Sequence, residues 1–508
     1  MSTVTAPAMA SSADPNEGFG SKGYRAFVLG SLLLVYIFNF IDRAILAILN
    51  DPIKHSLGLE DWHMGMIGGT AFALFYITLG IPIAHISETR SRKWIIIAAM
   101  TVWSLMTVLC GFATSFFMLF LLRVGVGIGE AGCTPPAQSL IADYFKPSSR
   151  ATAVSIYALG VPLGAMFAGL AGGPINDHFT GANVYDALNS WGMTWAANLI
   201  DWQSVEGWRI AFAAVGLPGL LFAVIVILTM KEPPRGYTDP VGARAKAEQA
   251  KAKLSEVLKI LKGKPAYIHV VLGAAIASFV GYGIGHFVTA FLRRTHNLSL
   301  TEAAIYYSLV MGIFAAIGVF SSGYISDKIS KRHPNALSWL PAVGMSVSVP
   351  LYVIGFLLPE LWIALIPLCA AALLHYFYLG PMYAVFGGVV DSRMRATSVA
   401  VALFVVNLFG LAFGPPASGI LSSMLKGLML STSDLNLSIE TCTAAVNLSD
   451  AQLAMCQTTE AKGLQYAIVL FALLYLWASI HYLLAGRTLQ RDMLSMGGQK
   501  DEEETATA

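Results

Sequence analysis

The chain has 508 residues, 56% of them hydrophobic and only 12% charged, with a mean hydropathy of +0.64. A soluble domain carries about 25% charged residues, so this composition excludes an ordinary water-soluble globular protein. The net charge of +2 is small, and the basic residues follow the hydrophobic pattern along the chain, so nucleic-acid binding is not implied.

The first twenty residues are polar and lack the apolar core of a signal peptide, so the N-terminus is expected to remain unprocessed. A membrane span needs about 20 apolar residues. Twelve stretches qualify: 24–50, 62–85, 93–114, 116–142, 151–174, 208–230, 266–292, 302–326, 336–358, 361–390, 396–425 and 463–486. The expected fold is an all-α membrane protein with two six-helix bundles, at 24–230 and 266–487. A tail at 1–23, a linker at 231–265 and an acidic tail at 488–508 complete the chain. With an even number of spans both termini share one side. If that side is inside, its segments hold 24 of the 32 lysines and arginines, which predicts cytoplasmic termini in a plasma (inner) membrane.

Four ionisable residues stand inside the predicted spans: Asp42 and Arg43 in the first, Arg123 and Glu130 in the fourth. A charge at bilayer depth costs about 2.5–3.5 kcal/mol on insertion scales, which points to a polar pathway, with simple helix-to-helix pairing as the alternative. Arg123 and Glu130 are two helical turns apart, nearly on one face, so both can reach one cavity. Asp42 and Arg43 are adjacent and point about 100° apart. A buried carboxylate responds both to desolvation and to a neighbouring arginine. Asp42 and Glu130 are therefore the expected proton carriers, with Arg43 and Arg123 as counter-charges that could also hold an anionic headgroup.

The chain also repeats itself. Ala84-His-Ile-Ser-Glu88-Thr-Arg90-Ser-Arg92-Lys93 follows the second span, and Gly323-Tyr-Ile-Ser-Asp327-Lys328-Ile-Ser-Lys331-Arg332 follows the eighth, 239 positions later. Arg150-Ala-Thr-Ala-Val opens the fifth span and Arg395-Ala-Thr-Ser-Val the eleventh, 245 positions later. Internal repeats of this kind mark transporters. Glu88, Arg92, Lys93, Asp327, Lys328, Lys331 and Arg332 are expected to clamp span ends when the inner gate shuts, and so are Asp143 with Arg150 and Asp391 with Arg395. Exposed pairs are worth only about 0–1 kcal/mol each, so a gate needs several together.

In the linker, Leu254, Val257, Leu258 and Leu261 share one helical face, with lysines opposite, as in a helix lying on the membrane surface. The outer stretches 175–207 and 426–462 read as long polar loops. Cys442 and Cys456 share the second of these and could form a disulfide in an oxidising compartment. Asn39, Phe40, Tyr76, Tyr157, His375, Tyr378 and Asn407 are candidate cavity residues, with ordinary core packing as the competing reading. No zinc motif, P-loop or serine elbow occurs in a suitable context, so an enzyme is not expected and no cofactor is implied beyond protons.

The loop after the eighth span resembles the Gly-xxx-Asp-Arg/Lys-x-Gly-Arg/Lys-Arg/Lys motif of the major facilitator superfamily, with Ser330 for the late glycine. The copy after the second span departs at Ala84, Glu88, Thr89 and Ser91. Arg123-Val-Gly-Val-Gly127-Ile-Gly129 resembles the family's fourth-span motif. Asn39-Phe-Ile-Asp42-Arg43, Gly127-Ile-Gly129-Glu130-Ala131 and Ile141-Ala-Asp143-Tyr-Phe145 resemble the Spinster branch. The resemblance implies a substrate class of lysophospholipids and sphingolipids, moved in some members with protons, and the reading for this chain is an amphipathic anion such as a lysophospholipid or sphingolipid phosphate. The expected partners are therefore an amphipathic lipid-like molecule and the bilayer, with the protein a monomer. An uncoupled facilitator or drug exporter of the same superfamily is the alternative.

Overall fold

The computed structural model describes residues 18–238, 254–330, 332–333, 335–390, 394–435, 437–444, 446 and 448–493. Residues 1–17, 239–253 and 494–508 lie outside these residues. Among the described residues, twelve helices are long and apolar enough to cross a membrane: Lys22–Ile48, Asp61–Gly80, Arg92–Cys110, Phe116–Tyr144, Thr152–His178 and Gly207–Thr229 in the first half, and Pro265–His296, Leu300–Ser330, Ala336–Leu357, Leu361–Gly388, Thr397–Ser431 and Asp450–Gly486 in the second. They are called the first to twelfth spans below.

Six of these helices are broken, and the breaks repeat between the halves. The second span is interrupted at Gly69 and the eighth by a π-helical turn starting at Ser308, 239 positions later. The fourth is interrupted from Ala131, before Pro135 and Pro136, and the tenth by a 3-10 turn starting at Tyr376, before Pro381. That offset is 245 positions. The fifth breaks at Leu159 and the eleventh at a π turn over Leu408–Phe413, followed by Pro415 and Pro416. Proline removes a backbone donor and clashes with the preceding turn, which explains the breaks it follows. Discontinuous helices at matching places in two repeats are where transporters bind their cargo.

Small residues set how closely the helices approach. A Cβ on Gly127 would lie 2.3 Å from the Phe72 carbonyl oxygen, and one on Gly129 would lie 2.6 Å from the Trp103 nitrogen. Their absence brings the second and third spans against the fourth and holds Arg123 and Glu130 at the centre of the first half.

The two outer stretches expected as loops are largely helical. The fifth span runs on to His178 and is followed by a helix at Gly181–Ser190. The eleventh runs to Ser431, and the twelfth starts at Asp450 behind a reciprocal cap between Ser449 and Gln452. That cap satisfies free backbone donors and lets the helix begin before its apolar part. A disulfide joins Cys442, in the short helix Ile439–Ala444 between these spans, to Cys456 near the start of the twelfth. In the linker, Leu254–Lys262 is helical, with Val257 and Leu261 buried and Lys259 and Lys262 exposed.

Overpacking a tight helix crossing costs about 1–3 kcal/mol. Gly127→Ala is therefore expected to lower the thermal unfolding midpoint in detergent. Gly80→Ala, where an added Cβ meets nothing within 4 Å, is expected to leave it unchanged or raise it. Intrinsic fluorescence during a thermal ramp checks the contrast.

Candidate functional site

The four intramembrane charges meet in one cluster. Arg43 Nε donates to Glu130 Oε2 at 2.5 Å. The Arg43 guanidinium also lies over three aromatic rings, 4.4 Å from the centroid of Tyr76, 4.7 Å from Phe40 and 4.9 Å from Phe72. Each such contact contributes about 0.5–2 kcal/mol, more when water is excluded. Arg123 Nη1 donates to the backbone carbonyl of Asp42 at 3.0 Å. The Asp42 carboxylate itself faces Arg123, Glu130 and Thr107, and Asn39 lies beside Glu130. Asp42, Arg123, Glu130 and Asn39 are all buried.

The cluster is incompletely satisfied. Asp42 Oδ1, Glu130 Oε1 and Arg43 Nη2 are buried without a hydrogen-bond partner. An unmet buried polar group costs about 1–3 kcal/mol, more if charged. The arrangement can take up a proton on either carboxylate, and loss of the Glu130 charge would release the Arg43 fork to another anion. Tyr282 of the seventh span, absent from the sequence-based candidates, is 37% exposed and within electrostatic reach of Arg43 and Tyr76.

A second charged constellation joins the halves at the face away from the termini. Arg294 binds Asp51 at 2.6 Å and Asp61 at 2.9 Å, and Arg293 reaches Asp51 at 3.3 Å. Lys54 binds Asp61 at 2.9 Å and Glu460 at 2.7 Å. Lys426 binds Glu60 at 3.2 Å, and Thr443 also donates to Glu60. Ser422 donates to Asp61 at 2.6 Å. In this group the first half supplies Asp51, Glu60 and Asp61 against Lys54, and the second supplies Arg293, Arg294 and Lys426 against Glu460. Opposite charges therefore face each other across the seam. Burial and Arg294 push the Lys54 amine down, but Asp61, Glu460 and Glu60 outweigh them and hold it above its ordinary value, so it stays charged at neutral pH. No local spacing brings these groups together, since Lys54 and Glu460 are 406 positions apart.

At the termini face the expected clamp residues are arranged differently. Arg92 donates to Glu232 through its backbone at 2.8 Å and its Nε at 3.2 Å, to Pro233 O at 2.8 Å, to Ser139 Oγ at 3.1 Å and to Asp143. Lys93 donates to Ile227 O at 2.8 Å, and Arg150 donates to Thr238 at 2.7 Å. These contacts stay within the first half and fasten the start of the linker beneath it. The clamp expected of Arg92, Lys93 and Asp143 belongs to the shut inner gate, and in this structure Arg92 binds Asp143 and the start of the linker. Glu232 and the following residues reach these groups first. Lys328, Arg332 and Arg395 are exposed. Lys331, Asp391 and the side chains of Glu88 and Asp327 lie outside the described residues.

Three cavity candidates are packed inside their own halves instead. His375 is buried, with Nδ1 2.8 Å from the Tyr352 hydroxyl and its ring stacked on Tyr475. Tyr157 is buried and stacks on Tyr36 at 4.3 Å, and Tyr378 is buried as well. Burying aromatic area outweighs leaving these rings on a wet wall. Phe40, Tyr76 and Asn407 are half-buried.

Breaking a buried ion pair by removing one partner costs about 3–5 kcal/mol. Arg294→Met leaves Asp51 and Asp61 with less compensation, so it is expected to weaken closure of that face. Faster labelling of a cysteine placed beneath it by an impermeant thiol reagent checks this. A separate expectation concerns acid. Burial pushes the Glu232 carboxyl up, but hydrogen bonds from Ser91 and Arg92 outweigh it and hold it below its ordinary value. Its stabilisation is therefore complete above the unfolded value of about 4.3 and is lost as pH falls through the lower folded value. Hydrogen exchange at residues 231–238 is expected to rise on acidification below that point, and Glu232→Gln to remove the dependence.

The comparisons with known proteins agree with this geometry. The family model described as Major Facilitator Superfamily matches residues 32–424. The crystal structure of a bacterial homologue of the human lysosomal transporter Spinster, in an inward-facing and unoccupied conformation, is 41% identical, with a TM-score of 0.87 over 93% of this chain and 99% of that one. An MFS-type efflux pump of Mycolicibacterium smegmatis is 30% identical over 426 residues, covering 83% of this chain and 90% of the pump. Protein spinster homolog 1 of Xenopus tropicalis is 25% identical over 422 residues, covering 79% and 74%. With its twelve apolar helices, repeated breaks and central charge cluster, the chain belongs to the Major Facilitator Superfamily as a multi-pass membrane transporter of the Spinster type, and not to an enzyme family.

Proposed function

We propose that this transporter moves an amphipathic anion, a lysophospholipid or sphingolipid phosphate, by alternating access coupled to protons through Asp42 and Glu130. The observation that supports the reading most directly is the buried cluster in which Asp42 Oδ1 and Glu130 Oε1 lack hydrogen-bond partners beside two guanidinium groups. Protonation of Glu130 removes the charge that holds Arg43. The freed guanidinium, planar and permanently charged, suits a phosphate headgroup. The aromatic rings around it suit the adjoining apolar part of the cargo. Loss of the proton restores the Arg43–Glu130 pair and expels the anion.

In this reading the termini are cytoplasmic, the membrane is the plasma membrane, and the sealed face with its Cys442–Cys456 disulfide looks outward, where an oxidising environment sustains the bond. The conformation then matches the inward-facing one for which the bacterial Spinster homologue structure is named. The protein acts as a monomer with no cofactor beyond the proton. One observation favours a second reading, an uncoupled or drug-exporting pump: the mycobacterial relative at 30% identity is an efflux pump.

Flux of a lysophospholipid in proteoliposomes, with and without an imposed pH gradient, tests the proposal. Gradient-dependent flux is expected, and Asp42→Asn and Glu130→Gln are each expected to abolish the gradient dependence while the proteins stay folded. Flux indifferent to the gradient favours the facilitator. Lipid flux absent from vesicles that still carry a cationic dye or drug favours the exporter.

A further inference from the structure

His286 of the seventh span is buried at the seam between the halves, and the transport reading makes no use of it. Its side chain crosses from the second half into a socket of the first. Nε2 lies 3.1 Å from the Met64 carbonyl oxygen and 3.4 Å from Asn50 Nδ2. A carbonyl only accepts, so Nε2 carries the hydrogen and donates to Met64. Asn50 Oδ1 has no partner, and turning that amide over would let it accept from the same Nε2–H. The ring rests on Gly68, where a Cβ would lie 2.1 Å from His286 Cε1.

The position of this contact along the helix gives it meaning. Tyr282, His286, Thr289 and Arg293 recur at helical spacing on one stripe of the seventh span. Tyr282 reaches the Arg43 site and Arg293 reaches the sealed face. His286 stands between, facing Arg123 on one side and Asp61 on the other. The first span is matched to it, with Asp42 and Arg43 in the cluster and Asn50 just past its end.

We propose that His286 is a positioning residue for alternating access. Its Nε2–H donation to the Met64 carbonyl seats the seventh span in the first half and holds the face away from the termini shut. It works one layer below the ion pairs and next to the central cluster, so that a change at the cluster is passed to the seal through this ring. The inference rests on the transporter assignment but not on the identity of the cargo or on proton coupling.

The experiment uses the full chain with Cys110, Cys133 and Cys369 replaced by alanine and Thr289→Cys as a reporter, since Thr289 is buried beneath the seal. A membrane-impermeant maleimide is supplied at the sealed face of protein in vesicles. His286→Leu is expected to label about five- to tenfold faster than the parent, the scale of one lost hydrogen bond. His286→Gln keeps a donor at the same reach and is expected to return labelling close to the parent rate. Gly68→Ala pushes the ring out of its socket and is expected to behave like His286→Leu, which guards against a folding defect peculiar to one variant. Parent-like labelling in both His286→Leu and Gly68→Ala overturns the proposal. So does labelling of His286→Gln as fast as that of His286→Leu, because packing and not donation would then be the cause. The readout needs no substrate and no pH gradient, so it stands or fails separately from the lipid and proton reading.

Discussion

A guanidinium in a membrane interior needs an anion, and the Arg43–Glu130 pair meets that need at the centre of this protein. Much else is arranged around it. The first span turns Arg43 toward the fourth, three aromatic rings close over the guanidinium, and Arg123 is left to bind the backbone of Asp42 and not a carboxylate. The consequence is asymmetry between the two acids. Glu130 has a close cationic partner on one oxygen, whereas Asp42 relies on a guanidinium already engaged elsewhere. A buried pair of this sort contributes little net stability, which is a reason to read it as functional.

The same rule governs the sealed face, with a different outcome. There the acids come mainly from the first half and the bases mainly from the second, so the pairs hold two bodies together. Such a seal is strong only while it is dry. Water entering the seam weakens every pair through the dielectric, which makes closure cooperative. The ring of His286 lies between this seal and the central cluster, joined to the first half by one hydrogen bond to Met64.

The broken spans are the natural candidates for moving parts in alternating access. Breaks at equivalent places in the two halves put weakened helix segments next to the central cluster and along the seam, where helices must bend or slide. Close glycine contacts, as at Gly127 and Gly129, keep the rest of each half rigid. At the termini face Arg92, Glu232 and Asp143 bind the first helices of that half to the start of the linker. The start of the linker is thus anchored to the first half, while its helix Leu254–Lys262 packs on the second through Val257 and Leu261.

The sequence by itself determined the twelve spans, their division into two repeats and the four intramembrane charges. These follow from hydropathy and from residue type, which are local properties of the chain. One of the matched breaks is also carried by a repeated residue, since Pro136 and Pro381 stand 245 positions apart. Only the tertiary structure decided the partners. It assigned Glu130 to Arg43, gave Arg92 to Glu232, brought Lys54 to Glu460 across most of the chain, turned His375 into the core and His286 into the seam. Each of those choices depends on which helix faces which, and that is settled by packing between segments hundreds of residues apart, where no spacing rule reaches.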